Sequence, residues 1–558
     1  MTRRFAQGAE VREDGTHFRV WAPSRSKVEL LIEGAEGRVV PLEKQDLGYF
    51  AVFVPNVGAG ARYRFRLDGR DSFPDPASRF QPDGPHGPSE VVDPGTYAWT
   101  DAAWKGAPLA DQILYELHVG TFTDEGTWAA ATEDLNALVE LGVTMLEIMP
   151  IAEFPGKFGW GYDGVDWFAP AHIYGSPDDL RRFIDRAHAL GLGVILDVVY
   201  NHIGPNGNYL TQFSPSYFTH EHATDWGDAI NYDGTDAHGV RSLASDNAAY
   251  WVKEFHFDGL RLDATQNIYD SSKRHILIEL STAARLAAPG RTLVFVAENE
   301  SQEAKLVRPQ ERGGYGLDGL WNDDFHHASV VVLAGHSEAY YTDYQGTVQE
   351  LISALKYGYL YQGQRYAWQK ARRGSASFDL PRSAFVTFLE NHDQVSNSGD
   401  GARLYTKSSP ARWRAMTALM LLGPGTPMLF QGQEFGSAAP FLYFADHEPG
   451  LAKMVREGRA KFLAQFPSLA TPEAQNRLDD PGDPKTFERC RLDRSERKSH
   501  QKVLEMHKSL IALRKSDDRL TAADRFDGAV LGPSAMVLRW FGGDRGDLLA
   551  VMNIGADL

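Results

Sequence analysis

A chain of 558 residues is longer than one compact core accommodates, so two or three domains are expected. Its composition, 43% apolar and 23% charged, is that of an ordinary globular protein, and a formal net charge of -17 argues against nucleic acid or an anionic membrane as partner. A single cysteine, Cys490, excludes an intramolecular disulfide and a cysteine-built zinc cluster; with no signal-peptide pattern and no run of roughly 18 apolar residues, the cytoplasm is the expected location.

The first hundred residues are rich in β-formers. "HFRVWAPSRSKVELLIEG", "YFAVFVP" and "ARYRFRLDG" alternate or cluster them between Gly, Pro and Asp turns, the pattern of an antiparallel β-sandwich over residues 1–96. "SFPDPASRFQPDGPHGPSEVVDPGTY" then carries too much proline and glycine for regular structure and is expected to be a packed linker.

From "DQILYELHVGTF" onward the rhythm becomes strand, helix, strand. In "SPDDLRRFIDRAHALGLGVILDVVYNH", Ser176 can cap a helix, Pro177 suits its first position, and Asp178 and Asp179 favour its positive end. Leu180, Phe183, Ile184 and Ala187 make one apolar face, Gly191 can stop the helix, and "VILDVV" follows as a buried strand. Strand candidates recur in "QILYELHVG", "VTMLEIMP", "GVILDVV", "DGLRLDA", "TLVFVAE", "LDGLWND", "AFVTFLEN" and "TPMLFQGQE". Eight strands alternating with helices predict an α/β fold, a (β/α)8 TIM barrel over residues 97–465. An open doubly wound sheet is disfavoured because no G-x-G-x-x-G follows the first strand. The Gly/Asp-rich stretch 201–245 is too long for a βα loop and is expected to be a small insert. Residues 466–558 are expected to hold a helical segment and a C-terminal β-domain that looks incomplete, with "AMVLRWFG" and "DLLAVMNI" as strands.

Polar residues at the C-terminal ends of barrel strands point to catalysis. Four strand ends qualify: Asp197 with Asn201 and His202; Arg261 with Asp263; Glu298; and Asn391, His392 and Asp393. Splitting a glycosidic bond takes one ionised and one protonated carboxyl. Arg261 and Asp263 are two apart and share a strand face, so the guanidinium can keep the aspartate anionic, whereas Glu298 ends the apolar run "LVFVA", which favours its neutral form. A plain structural ion pair is the competing reading of Arg261 and Asp263. Glu300 competes with Glu298 for the acid role, and Asp323 and Asp324 could be solvated loop acids.

"DVVYNH", "GLRLDA", "VAENE" and "FLENHD", in this order, resemble the four signature segments of the α-amylase superfamily of glycoside hydrolases. The resemblance implies Asp263 as nucleophile, Glu298 as general acid/base and Asp393 as transition-state stabiliser. It implies Arg261, His202 and His392 as groups lining the sugar subsite, Asp197 as an acid behind it and Tyr162, in "GWGYDGVDWFAP", as the stacking aromatic. Asn201 completes the substrate-binding set at that end. The N-terminal sandwich looks like the carbohydrate-binding module of branching and debranching relatives.

"ELHVGTFT", "NHIGPNGNYL", "DWGDAINYDG", "DDFHHA" and "VREGR" resemble the trehalose-releasing branch of that superfamily. That likeness implies a retaining hydrolase that cuts the α-1,4 bond next to the terminal trehalose of maltooligosyltrehalose. The synthase that makes the trehalosyl end would be its pathway partner. A glycogen branching enzyme, which shares the catalytic set, and an inactive glucan-binding protein are the alternatives. Trp321, Asp323 and Asp324, or the aromatics Tyr357 and Tyr359, are candidates for the side that receives trehalose. Many α-amylases carry calcium, but no acid cluster here suggests one, so no metal and no cofactor are expected.

Overall fold

The computed structural model describes residues 3–34, 37–521 and 525–555. Two antiparallel sheets open the chain. Gly8–Arg12, Gly15–Trp21, Tyr49–Pro55 and Glu43–Lys44 lie side by side in the first; Arg38–Pro41, Val28–Ile32, Arg62–Leu67 and Ser72–Phe73 form the second, with Ser89–Glu90 added to Arg62–Leu67. Alternation along these strands buries Phe18, Val20, Leu30, Tyr63 and Phe65 between the sheets. The stretch expected to lack regular structure thus contributes two two-residue strands that zip onto the sandwich. Trp21 joins sandwich to barrel. Its ring meets Tyr217 edge-on at 4.9 Å, and a Cβ on Gly239 would stand 2.2 Å from the indole, so only glycine lets the helix come this close.

Eight parallel strands close a barrel: β1 Leu114–Leu117, β2 Met145–Ile148, β3 Gly193–Val198, β4 Gly259–Leu262, β5 Val294–Ala297, β6 Gly319–Trp321, β7 Phe385–Phe388 and β8 Thr426–Phe430, with β8 pairing back onto β1. All eight fall inside the segments marked by the sequence. Around them run α1 Trp128–Leu141, α2 Pro177–Ala189, α3 His238–Glu254, α4 Ile276–Ala287, α5 Asp323–Ala334, α6 Val348–Tyr357, α7 Pro410–Leu422 and α8 Gln501–Ser516. The α2 terminus forms as its residues dictate: Ser176 accepts from the Asp179 amide while the Asp179 carboxylate accepts from Ser176, a capping box that contributes about 1 kcal/mol. Leu180, Phe183, Ile184 and Ala187 are all buried.

The repeat is less regular than expected. Between β5 and β6 the connection holds only two short 3-10 turns, Ala304–Leu306 and Gln310–Arg312, while β6 is followed by both α5 and α6. The helix that completes the ring is α8, packed between α7 and α1 although residues 431–500 separate it from β8. A domain boundary at 465 therefore falls short of the barrel's last element. The physical reason is that Arg514, on α8, donates to the carbonyls of Leu421, Gly423 and Gly425, and Lys515 to that of Gly142. Likewise α3 begins at His238, inside the stretch expected to be insert; the insert proper is built around the hairpin Phe218–Thr224 and Gly227–Ile230. Near the C-terminus Phe526–Gly532, Ala535–Trp540 and Leu548–Asn553 form a three-stranded antiparallel sheet against α6. Ala556–Leu558, the end of "VMNIGADL", lie outside the described residues.

Candidate active site

Side chains pointing into a barrel of this type stack in layers of four, each layer drawn from alternate strands. Followed around the ring, the strand register places Glu147, Arg261, Trp321 and Met428 of the even strands in one layer. Glu116, Asp197, Glu298 and Phe388 of the odd strands stand one layer higher, towards the C-terminal face. Asp263, just beyond β4, and Asp323, just beyond β6, come next. The apolar floor beneath is Leu114, Met145, Ile195, Val294, Val296 and Val386.

Arg261 organises this stack. Its Nη1 donates to Asp263 Oδ1 at 2.9 Å and to Asp197 Oδ2 at 2.8 Å, and its Nη2 donates to Glu298 Oε2 at 2.9 Å. The expectation that Arg261 serves Asp263 is therefore too narrow: one guanidinium holds three carboxyl groups. It also brings Asp263 and Glu298 onto one guanidinium, as two carboxyls that flank a single bond require. Asn201 Nδ2 donates to the other Asp263 oxygen at 2.7 Å. The Ala264 amide donates to Glu298 Oε2 at 2.9 Å, from a left-handed backbone with φ of 39°, a conformation that costs a non-glycine residue about 1–2 kcal/mol. Burial holds the Glu298 carboxyl well above the usual range, opposed by Arg261 and helped by the charges of Asp263 and Asp393. Burial likewise pushes Asp197 up to about 7, against the pull of Arg261.

A second cation sits beside the first. Burial disfavours a charge on His392, yet Asp393 and Glu116 raise its imidazole to about 9. Its Nδ1 is 2.5 Å from Glu116 Oε1, its Nε2 2.8 Å from the Tyr162 hydroxyl and 3.5 Å from Asp393 Oδ2. Tyr162 in turn donates to Asp197 Oδ2 at 2.5 Å and lies against the His392 ring at 5.1 Å. His202 is anchored by the Tyr162 carbonyl at 2.7 Å and is covered by Trp226, from the tip of the insert hairpin, whose indole stacks on it at 4.6 Å with planes 4° apart.

The surfaces differ by residue. Asp393 is 40% exposed, Glu298 21% and Asp263 13%, and Tyr162 is half-buried, so these four face the cleft. Asp197, Asn201, His202 and His392 are buried behind them on protein partners, as is Arg261, whose two Nη groups are engaged. Two expected sugar contacts are corrected. Trp321 is only 2% exposed, because its place in the barrel layer puts its ring under Arg261 at 4.1 Å. Asp324 is fully buried, with one oxygen on the Tyr344 hydroxyl and the other on the amides of Leu360 and Tyr361. Tyr359 is buried as well, whereas Asp323 stays near the cleft, where burial pushes it up to about 7. Glu300, the rival acid, is exposed and accepts from Gln369. Glu116, Glu147 and Trp226 were not singled out by the sequence reading. The two acids carried a usable signal, since each interrupts an otherwise apolar strand as Arg261 does.

A family model for the alpha amylase catalytic domain matches residues 94–227, and one for carbohydrate-binding module 48, the isoamylase N-terminal domain, matches residues 7–94. The malto-oligosyltrehalose trehalohydrolase of Deinococcus radiodurans is 42% identical over 542 residues, 94% of this chain and 87% of that protein. The one from Saccharolobus solfataricus is 40% identical over 91% of this chain and 86% of its own length. Among solved structures, a putative alpha amylase from Salmonella typhimurium superposes with a TM-score of 0.91 at 39% identity, covering 99% of this chain and 94% of that one. A Bacillus subtilis pullulanase, at 19% identity and a TM-score of 0.74 over 98% of this chain and 78% of its own, shares the fold. With this barrel, this charge arrangement and near-full-length relatives at about 40% identity, the chain belongs to the malto-oligosyltrehalose trehalohydrolase family of α-amylase-type glycoside hydrolases.

Proposed function

We propose that this chain hydrolyses the α-1,4-glucosidic bond next to the terminal trehalose of maltooligosyltrehalose, with retention of configuration. The observation that carries the reading is the single guanidinium holding Asp263 and Glu298 together, in a chain 42% identical to a trehalohydrolase along nearly its whole length. The Glu298 carboxyl, kept protonated by burial, gives its proton to the glycosidic oxygen as the Asp263 carboxylate attacks the anomeric carbon. The bond to trehalose breaks and a glycosyl ester of Asp263 remains. Water then attacks that ester, Glu298 takes its proton, and the α-anomer of the shortened maltooligosaccharide leaves. In this reading Asp393, the most exposed of the three, holds ring hydroxyls and Tyr162 stacks on the sugar.

The trehalose unit is expected on the side of β5 and β6, where the hairpin of Arg365–Tyr366 and Ala371–Arg372 carries Trp368, 37% exposed, and is tied to Glu300 through Gln369. An enzyme that builds the trehalosyl end must supply the substrate, and a synthase of that kind is the expected pathway partner. No described helix is long and apolar enough to cross a membrane, and a cytoplasmic location is part of the proposal.

The substrate has no reducing end, so hydrolysis creates one reducing end per trehalose released. Equal yields of trehalose and new reducing ends, with the α-anomer appearing first in proton NMR, are the expected result. New branch points without reducing ends would instead make the chain a transferase, as its 31% identity to a 1,4-alpha-glucan branching enzyme of Rhodococcus jostii allows. Binding without product would make it a glucan-binding scaffold.

A further inference from the structure

Beneath the catalytic carboxylates, one layer of the barrel has its polar groups unspent. Glu147 is 1% exposed, and among the described residues neither of its carboxyl oxygens has a hydrogen-bond partner. In the same layer Arg261 leaves its Nε–H unbonded, and so does the Trp321 indole Nε1–H, both fully enclosed. Buried polar atoms are very rarely left unsatisfied, and each orphan costs about 1–3 kcal/mol. Here the orphans are complementary: two acceptors on β2, one donor each on β4 and β6, with Met428 closing the layer.

We propose that Glu147 is a positioning residue for Arg261, acting through buried water held between its carboxyl group, the Arg261 Nε–H and the Trp321 indole N–H. Water is the ligand that this donor and acceptor set accommodates, since one molecule both donates and accepts and internal waters typically make about three hydrogen bonds. The groups that face Glu147 support the assignment. Glu116 and Asp197 stand on the neighbouring strands, both acids, and the cations Arg261 and His392 are already engaged by Asp197, Asp263, Glu298 and Glu116. An ionised Glu147 would find no free cation, and burial raises it well above the usual range. A neutral acid that donates one hydrogen bond and accepts another fits the layer. The Arg261 guanidinium is thus fixed from below by Glu147 and from above by the three carboxyls, with the Trp321 ring against its face.

The inference rests on the catalytic roles given to Asp263 and Glu298, and its test separates the two. A high-resolution crystal structure of the unmodified protein is expected to show water within hydrogen-bond distance of Glu147, Arg261 Nε and Trp321 Nε1, an outcome independent of any catalytic assignment. Apolar contact there, with no water, overturns the proposal. Glu147→Gln keeps a neutral polar end and is expected to hold kcat within about threefold, whereas Glu147→Leu should lower kcat about ten- to a hundredfold with KM within about twofold. The Leu variant should also move the alkaline limb of the pH profile upward, because a displaced guanidinium no longer draws the proton from Glu298. Leu at the parental rate with an unmoved profile, or Gln as impaired as Leu, overturns it; should the Leu variant not fold, Glu147→Met stands in under the same criteria.

Discussion

The two ends of the barrel use the same groups for opposite ends. At the C-terminal face one guanidinium is divided among Asp197, Asp263 and Glu298, and burial holds the carboxyls of Asp197 and Glu298 up, towards their neutral forms. At the N-terminal face Asp101 and Asp258 are matched by His188, His256 and Arg291 in one network. Asp258, just before β4, accepts from Arg291 at 2.7 Å, from the Trp104 indole at 2.8 Å and from the Val194 amide at 2.9 Å, and lies 3.0 Å from His188 Nε2. Asp101 is 2.8 Å from His188 Nδ1 and 2.7 Å from His256 Nδ1, and the rings of Trp104 and Trp99 stack on the two histidines. Burial works against both aspartates, yet the histidines pull them below the usual carboxylate range. Undersupplied cations leave carboxyls poised to exchange protons; fully supplied ones make a clamp.

The comparison fails at once if the two ends respond alike to mutation. Asp263→Asn should cost about 10⁴-fold or more in turnover, since it removes the atom that forms the intermediate, while the melting temperature stays level or rises. Turnover assays beside thermal melts check both halves. Glu298→Gln should cost about 10²–10⁴-fold and abolish the alkaline limb of the pH profile, which in the parent reports the loss of its proton. A profile that keeps that limb would transfer the acid role elsewhere.

At the other end the signs reverse. Asp258→Ala should cost about 3–5 kcal/mol of stability in denaturant melts, by stranding the Arg291 and His188 charges, and leave turnover per folded molecule within about threefold. The smallest effect is a pH dependence. Burial alone would lower His188, but Asp101 and Asp258 raise it, so its contribution is complete below about pH 6.5 and fades as pH climbs through its folded-state pKa. The two aspartates are depressed, so theirs is complete above about pH 4 and is lost on acidification. The clamp should be strongest between roughly pH 4 and 6.5. His188→Gln should lose about 1–2 kcal/mol there and progressively less at alkaline pH, as measured by urea melts across the range.

Much of this is legible in the sequence. The eight strands announce themselves because each is an apolar run between turn residues, and α2 because Ser176, Pro177 and Asp179 begin it unambiguously. The carboxyls that Arg261 gathers were legible because they end strands or follow them. What escaped depends on long-range geometry. Asp324 follows the three-residue β6 with a helix already begun, so strand alternation no longer says where it points, and it turns inward to Tyr344. Trp226 owes its place over His202 to a hairpin whose docking no local pattern encodes. The role of α8 was hidden by residues 431–500, since sequence proximity is the usual guide to which helix follows which strand.

That detour has a consequence for how the molecule is made. β8 pairs with β1, and α8 packs between the helices α7 and α1 on that side, its Arg514 gripping the carbonyls just ahead of β8. During synthesis the ribosome must release residue 516 before the ring can be sealed, long after all eight strands have emerged. The nascent chain is therefore expected to hold eight strands without their last helix during that interval, and chaperone dependence should track the delay rather than the size of the barrel.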